Sequence, residues 1–470
     1  MKKKYIIIFT FAIIAILAII IFLLSQINAS ESTTSKQLKT TVYSNYETLQ
    51  TAFSEADSHS EIIDYLYNWS IDNELSAVKS GNILQITKPA SDDFFASPSV
   101  TFHLDVNLED TKDLAQSTSI ALSTLLGSKP YGEVSILFTP SNEFDYYGVL
   151  NIPDKMLDTD YFISLRYFKD SGIKTTTGCE NEVQFNSTLE YTEPTYDKAY
   201  TMTLSGLNIP NNSYDLFKEK NPILAFSSFM SNLNNDSIYF DYVDFEAGNS
   251  GEKFPYSVKV TLLFDERNSE KFISRSKSLE SKFDSYYIDD FPDYSFSCNE
   301  VPLPSQVISH EDGLRLLGFL YSLTDKVYEI DSKGNDILTS FAITNKLSTA
   351  NGNIKIGMNA YSITDSSETE SNTFLTQSAE LSDFDISIEP IIPKWNGSNK
   401  TALTEQLLTN LNHTKINVYQ KQETLLPSSL GYINSLNPEL NQVIFNTNNS
   451  ESFEQTTSLL EFVKEIGNAN

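Results

Sequence analysis

From Glu61 to Glu74 the apolar residues Ile62, Ile63, Leu66 and Trp69 recur at helical spacing with acids between them, which predicts an amphipathic helix. Gly81 breaks that pattern, and Asn82 to Lys88 reads as a strand running into Pro89. Short apolar runs follow at Val100 to Phe102, Glu133 to Thr139 (stopped by Pro140) and Tyr161 to Leu165, with an apolar helix at Ser117 to Leu126. Such runs, bounded by turn signals, are expected of buried strands. Past Lys198 the pattern becomes alternating: Tyr200, Met202 and Leu204 are separated by polar residues, and Ile238 to Phe245 and Tyr256 to Phe264 behave alike. Helices are predicted at Ser269 to Phe283 and Glu311 to Leu323, and strands at Ser340 to Thr344 and Asn353 to Tyr361. From Ile386 the earlier pattern resumes, with a helix at Leu403 to Leu411, a strand at Gln442 to Phe445 and a last helix at Phe453 to Ile466.

This order predicts an α/β fold: a mixed, mainly parallel sheet sandwiched by helices, with an inserted α+β domain. The α/β domain is expected at residues 41–197 and 386–470, and the insert at 198–385. At the N-terminus, Lys2-Lys3-Lys4 precede Tyr5 to Leu24, twenty residues with no charge and no proline. That length spans a bilayer as a helix, and the lysines are expected to stay in the cytoplasm. Residues 1–4 then form a cytoplasmic tail, 5–24 a transmembrane signal anchor and 25–40 a Ser/Thr-rich flexible linker, with the bulk of the chain extracytoplasmic. Cleavage after Ile27-Asn28-Ala29, giving a secreted protein, is the alternative.

The net charge of -29 argues against a nucleic-acid partner, which needs a basic face. Cys179 and Cys298 would lie in a compartment where a disulfide persists, and the sequence does not decide whether they pair. The chain has four histidines. His59, His310 and His413 have no ligand-like neighbours and read as surface or loop residues.

In an open α/β sheet, ligands sit beyond the carboxyl ends of the strands. That draws together His103-Leu104-Asp105, Asn142-Glu143 and Arg166. His103 and Glu143 are of zinc-binding type, and Asp105 could hold the second imidazole nitrogen. Two ligands fall short of the three that a catalytic zinc takes.

The motifs come in a familiar order. They are GNILQITKPAS (Gly81 to Ser91), HLDV (His103 to Val106), GEVSILFTPSNE (Gly132 to Glu143), DSGIKTTTGC (Asp170 to Cys179), YTMTLSGL (Tyr200 to Leu207) and PKW (Pro393 to Trp395). The series resembles the aminoacyl-histidine (Xaa-His) dipeptidase branch of the di-zinc metallopeptidases. That resemblance implies a zinc-exopeptidase-like α/β domain with an inserted lid, two zinc ions sharing a water and a carboxylate, a general-base glutamate, and homodimers paired through the lid. Carried over residue by residue, the first ligand histidine falls on His103, its supporting aspartate on Asp105 and a ligand glutamate on Glu143. The other positions depart. The bridging aspartate falls on Ser117, the general base on Asn142 and a further ligand aspartate on Arg166. The last ligand histidine belongs near Asn448 to Glu451, and no histidine follows His413.

The expectation is therefore a membrane-anchored, dipeptidase-like chain without metal or catalysis, kept for binding or scaffolding, with a peptide or an envelope protein as partner. Arg166 is expected in the former metal cavity, paired with Glu143 or Asp105. One alternative is a weak metallopeptidase with a single zinc at His103 and Glu143. Another is a structural surface protein with a filled-in cleft.

Overall fold

Helix follows helix at the start: residues 35–54 form α1, and α2 is His59–Asp72. The computed structural model describes residues 35–92, 94–128, 132–142, 146–168, 171–207, 220–248, 254–323, 326–330, 336–397, 401–414, 416 and 423–467. The apolar run Tyr5 to Leu24 lies outside them. Among the described residues, no helix is long and apolar enough to cross a membrane.

The α/β domain continues with β1 (Ser76–Ser80), β2 (Ile83–Lys88), β3 (Val100–Asn107), α3 (Thr111–Gly127), β4 (Val134–Ser141), β5 (Tyr161–Tyr167) and β6 (Gly172–Lys174). The insert supplies β7 (Cys179–Thr188), β8 (Lys198–Ser205), α4 (Pro222–Asn235), β9 (Phe240–Ala247), β10 (Val258–Phe264), α5 (Ser269–Tyr287) and β11 (Ser295–Val301). It goes on through α6 (His310–Ser322), β12 (Lys326–Ile330), β13 (Asp336–Ser348), β14 (Asn353–Ser362), α7 (Asp365–Leu381) and β15 (Asp385–Ile392). The chain then returns with α8 (Ala402–His413), α9 (Ser429–Leu436), β16 (Asn441–Thr447) and α10 (Ser452–Gly467).

Among the described residues, seven strands form one sheet in the order β1-β2-β4-β3-β5-β16-β6. The four central strands are parallel, and β1, β2 and β6 add antiparallel edges. One face is covered by helices, as expected: apolar side chains of α1, α2, α3, α8 and α10 pack on Phe102, Leu104, Ile136 and Phe138. The other face differs from a simple sandwich. Leu137, Phe162 and Ile444 share a cluster with Leu430 and Ile433 of α9 and with Phe254, Phe341 and Tyr361 of the insert. Helix α3 is buried without a break from Leu114 to Leu125, so its small Ser, Thr and Ala residues are contact residues. Ser119 donates to the Val42 carbonyl at 2.6 Å and Asn45 donates to Ser123 at 3.1 Å, which seats α1 on α3. Lys88 closes the far end of α3 by donating to the carbonyls of Leu125, Leu126 and Ser128. A cation there also opposes the negative helix terminus.

The second sheet is antiparallel, in the order β11-β8-β10-β9-β13-β14-β7-β15, with β12 on β13. It takes in β7, which precedes residue 198, and β15, which begins at Asp385. The polar run of β7 hides its strand character: Val183 and Phe185 face inward while Gln184 is exposed. Residues 35–40, expected as linker, are the first turns of α1. Pro140 does not stop β4. Beyond Phe138 the strand has lost β2 as a neighbour, so the missing amide of Pro140 leaves no pairing unmade there. Both cysteines are free thiols.

Candidate functional site

Side chains alternate across a strand, and this sends His103 and Asp105 of β3, Thr139 of β4, and Ser164 and Arg166 of β5 to the α9 face of the sheet. His103 is not at a strand end. Strand β3 continues to Asn107, so the imidazole is fully buried among its neighbours, 5.3 Å from the Phe162 ring centre. Its Nε2 lies 2.9 Å from Thr139 Oγ1, and its Nδ1 lies 3.4 Å from Ser164 Oγ. The Thr139 hydroxyl donates to Asp105 Oδ1 at 3.3 Å, and Ser429, the first residue of α9, donates to Asp105 Oδ2 at 2.8 Å. This order of donors assigns the imidazole proton to Nε2 and leaves Nδ1 to accept from Ser164. Asp105 supports the ring mainly through Thr139, since the direct Nε2 to Oδ1 distance is 3.6 Å. Burial pushes the His103 pKa below its ordinary value. Asp105 opposes that shift and Arg166 adds to it.

Arg166 turns toward the face of the sheet that holds His103, but its described partners are not the expected acids. It donates from Nη2 to the Tyr146 hydroxyl at 2.8 Å and from Nη1 to the Pro427 carbonyl at 3.2 Å. The guanidinium carbon is 5.5 Å from the Tyr146 ring centre. No ion pair joins it to Asp105; Glu143, the other expected partner, lies outside the described residues. Tyr146 also donates to the Pro427 carbonyl at 3.3 Å. Burial pushes its pKa up to about 12 against the pull of Arg166, so the hydroxyl keeps its proton.

Ser117 is not part of this cluster. It lies within α3 on the opposite face of the sheet, where its hydroxyl meets Thr447 Oγ1 at 2.6 Å. Asn142 is exposed beyond the end of β4. At the expected place of the last ligand, Asn448 is buried and donates to Ser171 Oγ at 2.6 Å and to Glu451 at 3.0 Å. Gln455 adds a bond to the same Ser171 hydroxyl at 2.8 Å. A buried amide network thus fills that end of β16.

Two residues near the sheet were missed in the sequence. His59 is no free surface residue: its Nε2 donates to the Ser141 carbonyl at 2.9 Å, at the end of β4. The helix N-terminus at Ser58 gave no sign of that partner. Glu180, directly after the Gly-Cys motif, is fully buried and accepts from Asn359 at 3.0 Å and from Tyr361 at 3.4 Å.

The described residues do not by themselves make up a di-zinc centre. Among the described residues, no group of three or more His, Cys, Asp or Glu is placed to hold a metal. Both His103 nitrogens face hydroxyl partners, and a guanidinium stands where a ligand carboxylate was expected.

The seven-stranded sheet with its large insert superposes on a crystal structure of aminoacylhistidine dipeptidase from Vibrio alginolyticus with a TM-score of 0.61, over 90% of this chain and 96% of that one. The fold is that of the dipeptidase. Identity between the two is 14%. A tripeptidase from Staphylococcus aureus subsp. aureus is also similar, with a TM-score of 0.51 at 10% identity over 91% of this chain and 98% of the tripeptidase. No protein-family model matches the sequence, and no curated protein sequence does. The chain therefore shares the fold of that structure, insert included, at low sequence identity.

Proposed function

We propose that this chain is a membrane-anchored, extracytoplasmic protein of the dipeptidase fold that has given up metal binding and catalysis and acts by binding or scaffolding. The observation that carries the reading is the environment of His103. A ligand histidine must present a free nitrogen to the metal, and here each nitrogen faces a hydroxyl within the sheet. Arg166 supports the same reading, because a fixed cation in the cavity replaces charge that two metal ions would bring. The anchor rests on Lys2-Lys3-Lys4 and the apolar run Tyr5 to Leu24. The partner in this reading is a peptide or an envelope protein.

A second reading, a structural protein with a filled cleft, is favoured by the apolar cluster that joins Phe254, Phe341 and Tyr361 of the insert to Leu137 and Phe162 of the sheet. The test is common to both. The full chain, purified in a non-ionic detergent, is assayed for bound zinc and for hydrolysis of Xaa-His dipeptides. Both readings expect neither. Stoichiometric zinc, with hydrolysis lost in His103→Ala, would establish the single-metal peptidase at His103 and Glu143 instead. Resistance of the chain to alkaline extraction from membranes tests the anchor.

A further inference from the structure

Helices α4 and α5 lie side by side on the insert and leave a groove of about 410 Å³ between them. That is the size of a site for a small ligand or a short peptide. Its floor is apolar, made by Phe229 and Leu233 of α4 and Leu279 of α5. The α4 wall carries no charge and offers the amides of Asn232 and Asn235. The α5 wall is basic. Lys271, Arg275 and Lys282 recur at i, i+4 and i+11, on one helical face, while Glu270, Glu280 and Asp284 fall on the other side. In a chain of net charge -29 this segregation stands out. Asp236 is the acid at the groove, and it pairs with Arg275 at 2.6 Å. Lys271 donates to the Asp236 carbonyl, and Lys282 sits 5.6 Å from the Tyr286 ring centre. Lys282, which lines the groove, and Lys271, one helical turn beyond Arg275 at its other end, thus have no carboxylate partner among the described residues.

Eleven residues of helix separate them by roughly 16 Å. An extended peptide covers that distance in about five residues. We propose that this groove binds an extended acidic peptide segment of a partner protein. Two carboxylates four residues apart, on one face of the segment, meet Lys271 and Lys282, the apolar side chain midway between them on that face rests on Phe229, Leu233 and Leu279, and Asn232 and Asn235 pair with the peptide backbone. A flat anionic bilayer would not use the concave floor or the uncharged amide wall. The site is on the outer, helical side of the insert, so the proposal stands whether or not the His103 cluster is catalytic.

The test uses the full chain in non-ionic detergent and fluorescein-labelled peptides read by anisotropy. The probe is Asp-Ser-Leu-Ser-Asp, and the control is Asn-Ser-Leu-Ser-Asn. The acidic peptide is expected to bind about 10-fold more tightly than the control, with the difference shrinking as salt is raised. Lys271→Glu and Lys282→Glu, both at exposed positions and checked for folding by circular dichroism, are each expected to weaken the acidic peptide by roughly 3- to 5-fold or more and to leave the control unchanged. Equal binding of the two peptides, no binding of the acidic one, or indifference to both substitutions overturns the proposal. So does lysine-dependent binding to phosphatidylserine vesicles without peptide binding, which would make the groove a lipid-surface contact.

Discussion

Arg166 and Tyr146 are bound to one another at 2.8 Å, and both donate to the carbonyl of Pro427. The pair ties β5 to the segment leading into α9 and puts a cation where the motif resemblance implies a ligand carboxylate. Losing either group costs the other one hydrogen bond, while the Pro427 carbonyl remains as its second partner.

Tyr146→Phe removes the acceptor for Arg166 Nη2 while preserving the ring. Hydrogen bonds to charged groups contribute about 1.5–3 kcal/mol, so urea denaturation is expected to show a loss in that range. A loss below about 0.5 kcal/mol, within the noise of a neutral surface change, would mean that the guanidinium finds another acceptor.

The buried imidazole makes stability depend on pH. The folded-state pKa of His103 is depressed by burial, so below its ordinary value of about 6.5 the unfolded chain binds a proton that the native chain resists. The stabilising contribution is complete above that pH and is lost as pH falls through the window beneath it. The denaturation midpoint is expected to fall between pH 7.5 and pH 5, and His103→Gln is expected to flatten that slope. An unchanged slope in the variant would assign the acid sensitivity to other groups.

Asp113, in the first turn of α3, behaves with the opposite sign. Burial, followed by its neighbour Asp110, pushes its pKa up to about 7 from an ordinary 3.8. The native state therefore holds a proton that the unfolded chain releases, and the contribution present below pH 3.8 is lost as pH rises through 7. Asp113→Asn is expected to be more stable than the parent, by a margin that grows from about pH 4 to about pH 7 and then levels off. Thermal melts at pH 4.5, 6 and 8 would reveal a margin of the wrong sign.

Lys88→Met keeps the length of the side chain and deletes its ammonium. Three carbonyls at the end of α3 lose their donor. The expected cost is about 1–3 kcal/mol, read as a lower melting temperature, with Lys88→Arg recovering part of it. Equal melting of Lys88→Met and the parent would show that solvent replaces the cap.

Strong local periodicity made much of the frame legible. The helical spacing of Ile62, Ile63 and Leu66 and the apolar run from Val134 to Phe138 located α2 and β4 to within a few residues. Helix α7 was invisible, because DSSETESNTFLTQSAEL buries mostly serines along with Leu375 and Ala379 and so lacks an apolar stripe. Strand β7 was missed for a similar reason, since the face that carries Val183 and Phe185 also carries Asn181, and the other face begins with the buried Glu180. At the site, the motif order pointed to His103, Asp105 and Arg166, and these do share one face. It did not reveal that Ser117 lies behind the sheet, because the helical phase of a wholly buried helix cannot be read from apolar spacing. Thr139, Ser164 and Tyr146 were out of reach for another reason: a hydrogen-bond partner supplied by a neighbouring strand or a distant turn leaves no local pattern.

Helix α1 changes the mechanics of attachment. Residues 25–40 would have made a sixteen-residue leash, but α1 takes up residues 35–40 and is fastened to α3 by Val42 and Asn45. If Tyr5 to Leu24 spans a bilayer as proposed, ten residues remain between the bilayer and the first docked turn, a reach of at most about 35 Å. A body of net charge -29 on so short a tether, facing anionic headgroups, is pushed away within roughly a Debye length of 8 Å at physiological salt. On that reading the repulsion is short-ranged beside the reach of the tether, so the body would stay near the bilayer without settling onto its surface.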